Sequence, residues 1–161
     1  MPRKATEAMR KAEFIQTVEK TFWALESKYG FKKTATTFRT NDVIVTFQNA
    51  TTSVVLNYEI GQMPWLTIAD ITDPENKHAS LDWLLVELGQ QKAPAVEEAF
   101  STRALENDKL EAELQRQVQA LLTFGADMLN GDFSILPKLQ KRADNYLAEC
   151  KKFAERHKVK A

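Results

Sequence analysis

Cysteine, histidine and glycine are scarce in this sequence, and each scarcity removes a class of site. The 161 residues include one cysteine, two histidines and five glycines. A single thiol, Cys150, forms no internal disulfide, and with the distant His78 and His157 it does not supply the recurring ligands of a structural zinc site. The glycines are never adjacent, so there is no glycine-rich phosphate loop. We therefore expect no metal and no cofactor, and the sequence identifies no catalytic residue.

Long apolar runs are also missing. No stretch approaches the roughly 18 consecutive apolar residues of a membrane helix, and the N-terminal segment is mixed in charge, unlike a signal peptide. Apolar residues make up 43% and charged residues 27%, which is ordinary globular usage. Together with the unpaired cysteine, this composition predicts one domain over residues 1–161, located in the reducing cytoplasm and not in a membrane.

Hydrophobic periodicity predicts a helix followed by a sheet. The first helix, over residues 6–29 and ended by Gly30, has apolar residues spaced by four, four and three: Phe14, Val18, Phe22 and Leu25. Residues 31–72 are rich in threonine, valine, isoleucine and aromatic residues with period two. Turn signals divide this segment into four strands, and the short connections predict antiparallel neighbours.

The predicted sheet has one apolar face. Apolar residues recur at every second position of its second and third strands: Val43, Val45, Phe47, Val54, Leu56, Tyr58 and Ile60. The fourth strand, over residues 65–72, divides its apolar residues between both faces. A sheet with one polar face requires helices on the other face only.

Three further helices are predicted after the sheet. Ser80 is a candidate N-cap for a short helix with leucines at positions 81, 84, 85 and 88. Apolar residues then repeat at helical spacing over residues 103–130, which predicts a helix of about 40 Å. That length exceeds what a small domain needs, so we expect part of it to project or to pair in a homodimer. Gly131 to Ser134 form a turn into a last helix that contains Cys150.

These elements predict an α+β fold. Its order is an N-terminal helix, a four-stranded antiparallel meander, a short helix and a C-terminal antiparallel helical hairpin, packed on one face of the sheet. Two residues within it are candidates for chemistry. Cys150 lies in an apolar helical stripe, which favours an inert buried thiol. His78 follows several carboxylates, which fits an acid/base pair but is better explained by a solvated loop.

Charge segregation points to candidate binding surfaces. Residues 70–113 contain eleven acids and four bases. Within them an acidic helical region that can attract a basic protein comprises Glu97, Glu98, Glu106, Asp108, Glu111 and Glu113. A solvated helix face explains the same residues. The apolar candidate is the 63–65 tip, which contains Met63 and Trp65, residue types favoured at interfaces. Trp65 can equally belong to the core.

The C-terminal end is basic. Residues 138–161 contain eight bases and three acids. Such a cluster can bind a phosphate backbone, but cations are also common near helix C-termini, where they complement the dipole. The formal net charge of zero argues against nucleic acid as the partner.

The element order resembles a broad group of small uncharacterised bacterial α+β proteins, some of them associated with toxin immunity. The resemblance is carried by Tyr29-Gly30-Phe31, by residues 43–47 and 54–59, and by the turn from Gly131 to Ser134. It implies a cytoplasmic, non-enzymatic binding role and transfers no functional residue.

Three hypotheses follow. The first is an immunity-like protein-interaction module that uses the acidic helical region or the 63–65 tip. The second is a small-ligand-binding protein or an enzyme with a pocket between sheet and helices. The third is a nucleic-acid accessory protein that uses the basic C-terminal helix.

Overall fold

The computed structural model describes residues 3–101 and 103–157, with side chains from residue 7 onward. Its helices are α1 (Arg3–Thr21), α2 (Trp23–Tyr29), α3 (Leu81–Glu87), α4 (Leu110–Phe124), α5 (Ala126–Leu129) and α6 (Leu136–His157). Its strands are β1 (Lys32–Phe38), β2 (Asp42–Gln48), β3 (Thr52–Glu59), β4 (Trp65–Asp70) and β5 (His78–Ser80). Two short 3-10 helices span Val96–Phe100 and Asn107–Lys109. The α+β class and the antiparallel meander are confirmed.

The sheet has the strand order β1-β2-β3-β4-β5, with every neighbouring pair antiparallel. Side chains of β2 alternate between buried and half-buried, as the period-two pattern predicts. The pairing of β1 with β2 is interrupted by a bulge between Lys33 and Ala35. The fifth strand was not predicted, because three residues with a single buried side chain, Ala79, are too few to show a period.

One face of the sheet carries the core. Helix α1 places Phe14 on this face, and Phe22 lies directly after the end of that helix. The ring of Phe14 stacks on the ring of Tyr58 with centroids 4.4 Å apart. The ring of Phe22 stacks on the ring of Phe47 with centroids 5.7 Å apart. The buried apolar residues of α4 also belong to this core, namely Leu110, Leu114, Val118 and Leu121. Helix α6 contributes its first turns and packs against α3, β5 and the first 3-10 helix. One-sided packing of helices on the sheet is confirmed.

The predicted first helix divides into two at Phe22. The Thr21 hydroxyl donates to the carbonyls of Thr17 and Val18, at 2.8 and 3.3 Å. Such back-bonding competes with the helical ladder and favours a bend. Gly30 ends α2 in the left-handed conformation, with φ 69°, as expected.

The predicted 40 Å helix over residues 103–130 is wrong at its start and is interrupted at Gly125, after which α5 continues to Leu129. Helix α4 starts only at Leu110, because residues 103–105 pair with the turn between β3 and β4 instead. It ends before Gly125, where a Cβ added to the glycine would lie 2.7 Å from the carbonyl oxygen of Leu121. Its 15 residues span about 22 Å. The helix does not project, so the reason for expecting a homodimer falls away, and the oligomeric state stays a prediction.

The side chain of Asn49 ties three parts of the chain together. Its Nδ2 donates to the carbonyl oxygens of Tyr29 and Leu129, each at 3.1 Å. Its Oδ1 accepts from the backbone amides of Thr51 and Thr52, at 3.0 and 2.9 Å. The amide thus joins the end of α2, the β2–β3 turn and the end of α5, and it satisfies backbone groups that each element leaves open.

Replacement Asn49→Ala should lower the free energy of unfolding by about 2 to 4 kcal/mol, because it leaves several half-buried backbone groups without partners. Urea unfolding followed by circular dichroism measures this. The exposed Asn130 makes no side-chain hydrogen bond with a described residue, so Asn130→Ala is the matched control and should change the value by less than about 1 kcal/mol. Equal losses in both variants would contradict the role of Asn49.

Candidate functional site

The 63–65 tip is held rigidly although it belongs to a turn. The Met63 amide donates to the Arg103 carbonyl oxygen at 2.8 Å, and the Leu105 amide donates to the Gly61 carbonyl oxygen at 3.0 Å. Trp65, the first residue of β4, keeps 45% of its surface exposed. The structure therefore presents a large aromatic side chain on a fixed backbone.

Gln117 of α4 connects the tip to the acidic region. Its Nε2 donates to the Pro64 carbonyl oxygen at 2.8 Å and to Glu113 Oε1 at 3.1 Å. Because both acceptors face the Nε2 atom of Gln117, they determine which end of its side-chain amide carries the nitrogen. The buried Oε1 of Gln117 then has no hydrogen-bond partner among the described residues.

Glu113 is the acid of this region that is most constrained by hydrogen bonds from its neighbours. Arg116 donates to both of its carboxylate oxygens, Nε to Oε2 at 3.0 Å and an Nη to Oε1 at 2.7 Å. Burial by itself raises the pKa of Glu113, but the hydrogen bonds from Arg116 and Gln117, with the charges of Arg116 and Arg103, outweigh it and lower that pKa below its ordinary value. Glu113 stays ionised as an internal anchor.

The other predicted acids do not join Glu113 in one surface. Glu111 lies on the opposite side of α4, because two residues correspond to about 200° around a helix. It accepts from Lys20 Nζ of α1 at 2.8 Å. Glu106 lies 3.6 Å from Lys109 Nζ, and Asp108 is exposed with no ion pair to a described side chain. Glu113 is linked to the 63–65 tip through Gln117 and the Pro64 carbonyl oxygen, and the remaining acids are dispersed.

The remaining two acids of the predicted region lie elsewhere. Glu97 and Glu98 belong to the 3-10 helix Val96–Phe100, which packs against α6. They were grouped with the later acids because acids outnumber bases over residues 70–113, although the predicted helix begins only at residue 103. The two 3-10 helices and the intervening pairing with the β3–β4 turn separate them.

The open face, defined as the sheet face away from the core, carries a pair of acids that the sequence reasoning missed. Asp42 of β2 lies directly opposite Glu59 of β3. Neither carboxylate makes an ion pair or hydrogen bond with another described side chain. The next row of this face runs across four strands through Thr37, Ile44, Asn57 and Trp65. The sequence predicted this polar face, but which of its side chains lie opposite each other depends on the register of the strands.

A cleft lies between α3, α6 and the segment formed by residues 91–101 and Arg103. Its larger part, of about 550 Å³, has a mixed lining that includes Asp82, Gln91, Glu98, Arg103 and Tyr146 as well as Ala93 and Pro94. A smaller apolar part, of about 320 Å³, is lined in part by Trp83, Ala143 and Leu147 and shares Asp82, Pro94 and Tyr146 with the first. The predicted ligand pocket was placed between sheet and helices, whereas this cleft lies between helices.

Tyr146 stands where the two parts of the cleft meet. Its hydroxyl donates to the Ala95 carbonyl oxygen at 3.2 Å, and its ring meets Trp83 edge-on at 5.2 Å. Burial raises the pKa of Tyr146 to about 12, with Cys150, Glu98 and Glu97 adding to the effect. The hydroxyl therefore remains a donor at any physiological pH.

Cys150 and His78, the two candidates for chemistry, lie on α6 and β5. Cys150 is buried on α6, as its apolar stripe predicts. His78 is in β5 rather than a loop, and its Nδ1 lies 3.3 Å from the Asn76 carbonyl oxygen. Asp70 and Asp73 accept from turn groups two residues on, not from the imidazole. In residues 3–101 and 103–157, no three His, Cys, Asp or Glu side chains gather as a metal site, and no helix is long and apolar enough to span a bilayer.

The basic residues of α6 point to solvent. Five of them share one side of the helix, at 100° per residue: Lys138, Lys141, Arg142, Lys152 and Arg156. Arg142 is paired with Glu87 of α3, and Glu149 lies within the same arc. Both acids reduce the positive potential that a phosphate backbone would meet.

No family model matches this chain, and neither a curated protein nor a solved structure does.

In the variant Glu113→Gln, the free energy of unfolding should fall less steeply than in the wild type as the pH is lowered into the acid range. Because the folded-state pKa of Glu113 is lowered, its ionised form stabilises the fold above the unfolded-state pKa, and that contribution is lost as the pH falls through the folded-state pKa. The variant should lose about 1 kcal/mol at neutral pH and less near pH 3, measured by urea unfolding.

The control for that series is Glu106→Gln, which changes the same group at an exposed position. It should alter the free energy of unfolding by less than about 0.5 kcal/mol at neutral pH. Parallel curves for wild type and Glu113→Gln over the whole acid range would contradict the anchoring role of Glu113.

Proposed function

We propose that this protein is a non-enzymatic protein-interaction module of the cytoplasm, and that it binds its partner at the corner formed by the 63–65 tip and the adjoining open face. The observation that carries the proposal is the exposed Trp65 on a backbone fixed from two other segments. The lone buried cysteine suits a reducing compartment.

A fixed tryptophan is a strong binding element for physical reasons. Its large surface contributes much of the energy at protein interfaces, where tryptophan is enriched among the residues that matter most. Binding through a rigid turn costs little conformational entropy, because the hydrogen bonds of Met63 and Pro64 have already ordered it. The corner is thus organised before any partner arrives.

Photo-crosslinking at position 65 tests this proposal. Benzoylphenylalanine in place of Trp65 should give one discrete protein adduct in the source cells, because the side chain lies within the interface. The matched control is the same residue in place of Trp23, which is 65% exposed on α2, away from the tip. The proposal is overturned by no protein adduct at position 65, or by the same adducts at both positions.

A second candidate function is the binding of a small molecule in the cleft. The observation that favours it is the junction of an apolar wall with convergent polar groups at Tyr146, an arrangement typical of ligand sites. Aromatic contact with Trp83 and the polar side chains of Asp82 and Arg103 would orient an amphiphilic ligand.

A fragment library screened by thermal shift tests the cleft. Hits should raise the melting temperature of the wild type and lose that effect in Leu147→Asp, which puts a charge on the apolar wall where Leu147 is 57% exposed. Leu88→Asp, at a position that is 40% exposed and lines neither part of the cleft, is the control and should keep the shifts. Shifts lost equally in both variants, or absent throughout, count against this function.

A further inference from the structure

The open face lies on the side of the sheet away from the core helices, and at one end of it the small residues Ser53 and Ala69 are buried. Along β2 its residues are half-buried rather than buried, while the alternate residues of that strand lie in the core. Most of its side chains are small, β-branched or amide, namely Ala35, Thr37, Ile44, Thr46, Val55, Asn57 and Thr67. Flat surfaces of this kind suit an extended or sheet-like partner. The apolar residues of the open face do not identify this partner, but the charged residues at one end of the face do.

Asp42 and Glu59 form a like-charge pair across the two strands β2 and β3. Acids directly opposite each other on one face of an antiparallel pair repel and destabilise the sheet. Some acids elsewhere on the molecule are paired, as Glu111 is with Lys20 and Glu113 with Arg116, and exposed acids such as Asp108 are not, but Asp42 and Glu59 face each other across a strand pair. No described cation approaches Asp42 or Glu59 to ion-pair distance. An external cation placed between them would remove the repulsion.

Strand geometry places this pair beside Trp65. Asn57 lies opposite Trp65, and Glu59 is two residues further along the same face of β3. Strands are spaced by about 4.8 Å and same-face neighbours by about 7 Å, so Glu59 and Trp65 are about 8 Å apart by backbone position. Consecutive same-face side chains of an extended partner have a similar spacing. One can therefore meet the acids while the next meets the tryptophan.

We propose that the open face docks a basic segment of a protein partner, with an arginine seated between Asp42 and Glu59 and a neighbouring apolar or arginine side chain on Trp65. This rests on the proposed function and names the chemistry of its partner. Arginine fits because its planar guanidinium offers several donors to two carboxylates at once, and because it also stacks on an indole. An anionic surface repels phosphate, so nucleic acid and anionic lipid are not the occupants.

A phage library of random 12-residue peptides, selected on the immobilised full chain, tests the inference. Recovered peptides should be enriched in arginine and lysine, and a synthetic copy should bind the double variant Asp42→Asn/Glu59→Gln about tenfold more weakly than the wild type, and Trp65→Ala similarly. Binding should also weaken as salt rises. Glu106→Gln/Glu111→Gln, which neutralises two acids elsewhere, is the matched control and should bind as the wild type does.

The stability of the same variants separates recognition from folding. Because neutralisation relieves the repulsion, Asp42→Asn/Glu59→Gln should unfold at a higher urea concentration than the wild type while binding less well. A loss of binding that accompanies a lower unfolding midpoint would mean a folding defect and would overturn the inference, as would peptides without basic enrichment, no enriched peptides, or unchanged affinity in the double variant.

Two further outcomes keep this inference distinct from the proposed function. If position 65 crosslinks to a protein in cells but the double variant retains the adduct, the partner is not held by these acids and only the inference fails. If sedimentation shows salt-sensitive self-association that the double variant abolishes, the occupant is a second copy presenting its own cations, and the inference of a foreign partner is overturned.

Discussion

The side-chain amide of Asn49 is the constraint on which the sheet and its surroundings depend. It uses its nitrogen and its oxygen to join the end of α2, the β2–β3 turn and the end of α5. The buried Thr52 hydroxyl adds a bond to the Met128 carbonyl oxygen at 2.8 Å. These contacts fix where β2 ends and β3 begins. Since side chains alternate between faces, a shift of one residue there would exchange the core face for the open face.

Much of the fold follows from periodicity, and what does not follow has a physical reason. Repeats of 3.6 and 2 residues are strong over α1, α4, β2 and β3, where one face is buried along the whole element. The break at Gly125 depends on a close approach to the Leu121 carbonyl, and the pairing of residues 103–105 depends on a distant turn. Neither contact leaves a periodic pattern in the sequence.

Some residues of the candidate site could also be predicted from the sequence, and others could not. Met63 and Trp65 were selected from the sequence because methionine and tryptophan are favoured at interfaces and these two adjoin a turn. Asp42 and Glu59 are 17 positions apart, and only the register of β2 with β3 makes them neighbours. Centring the hairpin between Ala50 and Thr51 would have paired them, because that register places Gln48 opposite Ser53 and Asp42 opposite Glu59. The cleft was not foreseeable, because α3, α6 and an irregular segment meet there.

The bulge in β1 has a consequence for how this sheet meets other chains. Lys32 and Lys33 precede it, and a bulged, lysine-bearing outer strand resists the addition of a further strand by another molecule. The opposite border is β5, whose three residues offer too short a ladder for such extension. Because both edge strands disfavour backbone pairing, the sheet resists polymerising through its edges, and association through side chains is favoured.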